Sequence, residues 1–153
     1  MKKINKDFTI LMADDDADDY CLLREAFTEK GVPGQLRLVS DGAELMDYLL
    51  HRGKFAEISE APKPQLILLD LNMPRVSGRE ALMEIKAMEK IREIPIIIFT
   101  TSRDSEDIYQ SYQAGANSYI PKPQTFEELL DIVDSLDSYW MKTVMLPDGD
   151  NFH

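Results

Sequence analysis

The stretch Pro64-Gln-Leu-Ile-Leu-Leu-Asp-Leu-Asn-Met-Pro74 decides the fold. Leu66 to Leu69 is an unbroken apolar run, too short for a typical helix and bracketed by Pro64 and Pro74. A run of this kind reads as a strand buried on both faces, the middle of a parallel sheet. It ends on Asp70. An ionised carboxylate is costly to hold beside a core without partners, and open α/β sheets bind ligands at the carboxyl ends of their strands. Asp70 is therefore a candidate site residue, and the question becomes whether other strands end on matching chemistry.

Towards the N-terminus, Phe8 to Ala13 reads as a strand that runs into Asp14, Asp15 and Asp16. From Ala17 the pattern turns helical, with Leu22, Leu23, Ala26 and Phe27 expected on one face, until Gly31 and Pro33 stop it. Asp16 reads as the cap of that helix. Gln35 to Val39 is a short strand, and Ser40-Asp41-Gly42 is a turn capping a helix over residues 43–50. Residues 51–63 form a polar connection longer than most in a compact domain. Towards the C-terminus, residues 72–78 form a loop, with Gly78 near the start of a helix carrying Ala81, Leu82 and Ile85. Pro95 to Phe99 is a second continuously apolar strand, followed by Thr100-Thr101-Ser102. A helix over residues 105–114 is closed by Gly115. The last strand is Ser118 to Pro121; Pro121 lacks a ladder donor and suits an edge. The last helix starts near Thr125 and runs through Leu129, Ile132, Val133 and Leu136 towards Trp140. Residues 141–146 are apolar, and 147–153 are polar and read as a disordered tail. Five strands alternating with five helices predict one doubly wound α/β domain over residues 1–146, a parallel sheet with helices on both faces.

Composition narrows the function classes. A chain of 153 residues has room for one real core. Its net charge of −11 argues against nucleic acid and anionic membranes as partners. No apolar run approaches the ~20 residues of a spanning helix, and the basic start Met1-Lys-Lys-Ile-Asn-Lys6 is not followed by a signal-peptide core. The single Cys21 excludes an internal disulfide framework and fits a cytoplasmic protein. It reads as a small buried hydrophobe on a helix.

Several strands thus end on polar groups: Asp14 and Asp15 after the first, Asp70 after the third, Thr100 after the fourth and Lys122 after the fifth. Neighbouring parallel strands lie ~4.8 Å apart, so their ends can bring three carboxylates to one small ion. Clustered carboxylates call for a cation, and hard oxygen ligands suit Mg²⁺ (or Mn²⁺). Lys122 adds positive charge and Thr100 a hydroxyl donor, a set suited to negative oxygens. Asp70 stands alone at the end of the central run and is the candidate nucleophile for aspartyl-phosphate chemistry.

Taken together, Ile10-Leu-Met-Ala-Asp-Asp15, Leu68-Leu-Asp-Leu-Asn-Met-Pro74 with Gly78, Ile98-Phe-Thr-Thr101 and Tyr119-Ile-Pro-Lys-Pro123 resemble the receiver domain of two-component response regulators, of the fold shared with the chemotaxis regulator CheY. The resemblance spans residues 8 to about 137. It implies a flavodoxin-like strand order 2-1-3-4-5. It also implies Asp70 as phosphoacceptor, Asp14, Asp15, Asp70 and the Asn72 backbone carbonyl as metal ligands, and Thr100 and Lys122 as contacts of the phosphoryl group. Thr100 and Tyr119 match the positions of a conformational switch. The polar connection before the third strand, Arg75-Val-Ser-Gly-Arg-Glu80, Thr100-Thr-Ser102 and Tyr139-Trp-Met-Lys-Thr-Val-Met-Leu-Pro147 look like the stand-alone regulators of bacterial phytochromes and related sensor kinases. Members of that group imply a sensor histidine kinase as partner and a homodimer, with Tyr119, Trp140, Met141, Val144 and Met145 as interface candidates.

Two departures stand out. Pro121 is unusual before the lysine, and Thr101 is larger than the Ala or Gly often found after the switch threonine. Neither removes a reacting group. The expected function is a phosphoacceptor signalling protein rather than an enzyme, self-catalysing only its own phosphotransfer and dephosphorylation. A Mg²⁺-dependent phosphohydrolase of similar fold needs a second Asp two residues after the nucleophile, where this chain has Asn72. An unphosphorylated scaffold typically loses an acidic or Lys position, and this chain keeps them.

Overall fold

A computed structural model describes residues 8–57 and 61–147. Five strands, β1 (Thr9–Ala13), β2 (Gln35–Val39), β3 (Leu66–Leu69), β4 (Ile96–Thr100) and β5 (Ser118–Pro121), form one parallel sheet in the order β2-β1-β3-β4-β5. Between and after them run α1 (Ala17–Glu29), α2 (Gly42–Leu50), α3 (Gly78–Ala87), α4 (Ser105–Gln113) and α5 (Phe126–Ser135). The expected order is the observed one, and β5 is an edge strand, where the missing N–H of Pro121 does least harm. The ladder resumes at Lys122, whose N–H donates to the Thr100 carbonyl (2.7 Å).

The continuous apolar runs have a plain cause. β1, β3 and β4 are fully buried, and successive side chains feed opposite faces. Leu11, Ala13, Ile67, Leu69, Ile96 and Ile98 pack with α2 and α3 through Leu45, Met46, Leu49, Ala81, Leu82 and Ile85. Ile10, Met12, Leu66, Leu68, Ile97 and Phe99 pack on the other face with α1 and α5 through Leu23, Ala26, Phe27, Leu129 and Val133.

α1 corrects two expectations. Leu22 is 45% exposed and Cys21 is exposed, not buried. The buried set is Leu23, Ala26 and Phe27, the i, i+3, i+4 stripe of one helix face. Positions 22 and 21 are rotated about 100° and 200° from Leu23, beyond that stripe.

Each of the five helices begins with a side-chain cap: Asp16 accepts from the N–H of Asp18, Asp41 from Glu44, Ser77 from Glu80, Asp104 from Glu106 and Thr125 from Glu128. A cap of this type contributes about 1 kcal/mol. Here the caps also fix where each helix starts relative to the strand before it.

The connection over residues 51–63 is partly structured. It contains a 3₁₀ turn (Gly53–Phe55), and residues 58–60 lie outside the described residues. Its far end is tied to α2 by the Tyr48 hydroxyl, which donates to the Pro62 carbonyl (2.8 Å), and by His51 Nε2, 2.9 Å from the Ala61 carbonyl. Burial pushes the Tyr48 phenol up to about 12, against a small opposing pull from Arg37. A folded-state value above the ordinary one means that stability is fully present below pH 10 and is lost as pH rises from 10 through 12. The loss amounts to about 3 kcal/mol. Denaturation midpoints between pH 9 and 12 should therefore fall more steeply for the wild type than for Tyr48→Phe, and parallel curves would contradict this.

After α5 the helix widens into a π-helical segment, Leu136–Thr143. Trp140, Met141 and Leu146 pack against the α1/α5 core. Trp140 and Met141 of this segment, with Val144 and Met145 after it, line a groove of about 510 Å³ at one end of the sheet with Phe8, Gln65 and Pro95, at the starts of β1, β3 and β4. Of the tail expected to be disordered, residues 148–153 lie outside the described residues. No helix among the described residues is long and apolar enough to cross a membrane.

Candidate functional site

The strand ends meet as their order requires. β1 lies between β2 and β3, and β3 between β1 and β4. The residues following β1 and β3 are therefore neighbours, and the Asp70 N–H donates to the Ala13 carbonyl (3.0 Å). Asp14, Asp15 and Asp70 each offer a carboxylate oxygen within 4.8 Å of the others. Asp14 and Asp70 are buried and Asp15 is exposed, so the cluster opens to solvent on one side.

Two carboxylates are aimed by local hydrogen bonds. Asp14 Oδ1 accepts from the Asp16 N–H (2.9 Å), and Asp70 Oδ1 accepts from the Asn72 N–H (3.2 Å). Behind Asp70, Gly78 opens α3 against the strand end, its N–H donating to the Leu71 carbonyl (3.0 Å).

Lys122 enters from β5. Its Nζ lies 2.7 Å from Asp14 Oδ2, 2.7 Å from Asp19 Oδ2 and 3.3 Å from Asp70 Oδ2, and its side chain is 9% exposed. Burial pulls the Lys122 ammonium down, but hydrogen bonds to Asp14 and Asp19 and the charges of Asp70 and Asp14 together lift it above the usual lysine range. Asp14 is pushed up to about 6, because burial outweighs the hydrogen bonds from Lys122 and Asp16 and the Lys122 charge, with the Asp70 charge adding to the rise. The asymmetry is physical: one ammonium serves three carboxylates, so the lysine is over-supplied with partners and the buried Asp14 is under-supplied. The site holds more negative charge than Lys122 neutralises, and its donors are hard oxygens. That combination fits a divalent cation such as Mg²⁺ or Mn²⁺.

Thr100, the last residue of β4, is fully buried, and its hydroxyl has no hydrogen-bond partner among the described residues. Tyr119 on β5 is half-buried, and its hydroxyl donates to the Ser102 carbonyl (2.9 Å) in the loop after β4. Burial pushes its phenol up. The same loop is held by Asp107 on α4, which accepts from Ser102 Oγ (2.6 Å) and Arg79 Nη2 (2.7 Å). The Ser102 hydroxyl, with Arg79, holds that carboxyl below the usual range against the opposing effect of burial.

The structure therefore brings together Asp14, Asp15, Asp70 and Lys122, with Asn72 tied to Asp70 and Thr100 ending the adjacent strand. Trp140, Met141, Val144 and Met145 sit at the opposite end of the sheet. Two residues passed over in the sequence belong here. Asp19 pairs with Lys122. Arg75, in left-handed backbone (φ 64°), donates from Nε (2.9 Å) and Nη2 (3.0 Å) to Asp41, pinning the loop after Asp70 to the start of α2. Asp19 was legible in principle, being four residues beyond Asp15 in the first turn of a helix that starts at a strand end. The Arg75 contact joins residues 34 apart and has no local signal.

Residues 10–134 match the response regulator receiver domain. The chain belongs to the response regulator receiver family. The receiver is 35% identical to the response regulator Rcp1 of Synechocystis sp. over 138 residues, which cover 90% of this chain and 92% of Rcp1. The structure of the phosphorylated cyanobacterial phytochrome response regulator RcpA matches the receiver with a TM-score of 0.85 at 37% identity, covering 93% of this chain and 99% of RcpA. RPA3017, a response regulator in red light signaling of R. palustris, matches with a TM-score of 0.87 at 36% identity, covering 92% and 99%. Rcp1 has also been crystallised in a Mn²⁺-bound form, which matches the receiver with a TM-score of 0.82.

Proposed function

We propose that this receiver accepts a phosphoryl group from the phosphohistidine of a sensor histidine kinase onto Asp70. A further part of the proposal is that Mg²⁺ or Mn²⁺ is held by Asp14, Asp15, Asp70 and the Asn72 backbone carbonyl. The observation that carries the reading is the position of Asp70: its carboxylate shares one cluster with Asp14 and Asp15 and lies 3.3 Å from Lys122. Asp70 Oδ attacks phosphorus, the phosphorus–nitrogen bond breaks, and the imidazole leaves with the electron pair and takes up a proton. The cation, when bound, neutralises charge on the transferring oxygens. Lys122 and the Thr100 hydroxyl, unpartnered among the described residues, receive those oxygens. The move of Thr100 frees space beside Tyr119, whose hydrogen bond to Ser102 ties it to the same loop. His51 is engaged with the Ala61 carbonyl, which supports a phosphohistidine supplied by another protein.

The likeness to RcpA and RPA3017 supports a phytochrome-type photoreceptor as the kinase. A cytoplasmic location is part of the same proposal. The signal passes to a protein partner or onward by phosphorelay. The receiver forms a homodimer, with Tyr119, Trp140, Met141, Val144 and the 96% exposed Met145 at the contact. Autodephosphorylation at Asp70 resets the switch.

Beryllofluoride, a phosphoryl mimic, tests this with Mg²⁺ present. Fluorine NMR should show it bound, and light scattering should show a change of mass, in either direction, as the phosphoryl group at Asp70 makes or breaks the dimer contact. Bound mimic without a change of mass sinks the dimer switch, and absence of binding sinks the acceptor assignment. Lys122→Ala should leave the far-ultraviolet circular dichroism intact and remove the mass response. A retained response would show that Lys122 is not the relay.

A further inference from the structure

Lys122 faces a choice that the strand ends alone do not reveal. An ammonium has three protons, and three carboxylates surround this one, with Asp14 and Asp19 at 2.7 Å and Asp70 at 3.3 Å. The acceptor oxygen is the most distant of the three. A phosphoryl group on Asp70 adds anionic oxygens that compete for the same lysine. Drawing the lysine towards them stretches the two shorter pairs, and the pair that is cheaper to lose is the one that yields.

The two differ in what yielding costs. Asp14 is 1% exposed, so water cannot take the lysine's place there, and its release would leave a buried carboxylate to the cation alone. Asp19 is 30% exposed on the first turn of α1, so water can replace the lysine there. Space is also available on that side. Asp19, Leu22, Phe99, Lys122, Phe126 and Leu129 border a cavity of about 140 Å³ beneath α1.

We propose that Asp19 is a positioning residue that holds Lys122 back from Asp70 in the unphosphorylated receiver and releases it when a phosphoryl group forms there. Asp19 thereby sets how tightly the site retains phosphoryl oxygens. This rests on Asp70 being the acceptor.

The test is a double-mutant cycle on the full chain with Mg²⁺, read as beryllofluoride affinity by fluorine NMR. Asp19→Asn keeps the shape and removes the charge, and it should bind the mimic about fivefold more tightly, the worth of a part-exposed ion pair. Asp19→Glu should return the affinity towards the wild-type value. In a Lys122→Ala background Asp19→Asn should change affinity less than twofold. An equal gain in both backgrounds would mean a general field effect of the lost charge and overturn the proposal, as would no gain in the wild-type background. Should the Lys122→Ala chains bind too weakly to measure, the Asp19 carboxyl ¹³C resonance of the wild type decides. It should move towards a hydrated carboxylate on saturation with beryllofluoride, and an unmoved resonance overturns the proposal. A wild-type chain that fails to bind the mimic overturns the acceptor reading itself, a result distinct from every outcome of the cycle.

Discussion

Asp70→Asn leaves a folded chain that takes up no phosphoryl group from phosphoramidate in Mg²⁺, a fall of at least ~10²-fold in labelling read by intact-mass spectrometry. The amide has no anionic oxygen to attack phosphorus. The neighbouring carboxylates are poor substitutes because they are engaged elsewhere. Asp14 has one oxygen on the Asp16 N–H and the other on Lys122, and Asp19 is paired with Lys122. Asp15 is the exception, exposed and within the cluster, so label appearing at Asp15 would contradict the assignment. The fold should survive because the side-chain oxygen of the substituted amide can still accept the Asn72 N–H, as Asp70 Oδ1 does. Removing one charge from a site with more carboxylates than its lysine neutralises also relieves repulsion. The melting temperature in EDTA should therefore equal or exceed that of the wild type. A large loss of stability would mean that Asp70 holds the fold together, and would make the labelling result uninterpretable.

Much of this site was legible in the sequence for one reason. A parallel sheet buried on both faces writes its central strands as unbroken apolar runs, and the polar residue that ends each run is conspicuous. Asp14, Asp70 and Thr100 were found that way and Lys122 by its place just after the edge strand, and the strand order placed Asp14, Asp70 and Lys122 together. The order itself came from the resemblance to a family, because alternation of strands and helices does not by itself say which strand lies beside which. The edge position of Pro121 was readable from its missing N–H, and the cap role of Asp16 from its place between a strand and a helical pattern.

What escaped the sequence is what depends on angle and distance. Leu22 and Leu23 are adjacent and equally apolar, yet only Leu23 faces the core, since α1 starts at Ala17 and its stripe follows from that start. Asp19 looks like one of several acids in a first turn, and only the reach of Lys122 across from β5 singles it out. The bond between Arg75 and Asp41 joins two loops that the sequence separates by a strand and a helix. The apolar tail suggested a contact surface, and part of it is spent on the chain's own α1/α5 core.

Gly78→Ala should be among the most damaging single-methyl changes in the chain. A Cβ at this position would lie 1.9 Å from the Asp70 carbonyl oxygen, 2.7 Å from the Asp70 carbonyl carbon and 2.8 Å from Leu71 Cα. These are backbone atoms and cannot rotate away as a long side chain would. Residue 78 is also the first of α3, which buries Ala81, Leu82 and Ile85 against the sheet, so retreat of the helix would open that contact. We expect a cost of about 3 kcal/mol or more, seen as a lower denaturant midpoint. The site should suffer beyond that cost, because the backbone that must shift carries Asp70, and phosphoryl chemistry tolerates only about 0.5 Å of misplacement. Beryllofluoride binding should weaken even at temperatures where the variant is fully folded. Gly31→Ala is the control. Its Cβ would meet nothing within 4 Å and the strain comes only from φ +65°. It should cost about 1 kcal/mol and leave binding unchanged. A Gly78→Ala chain as stable as Gly31→Ala would mean that α3 can shift without disturbing β3, and the tight seat of Asp70 would then need another cause.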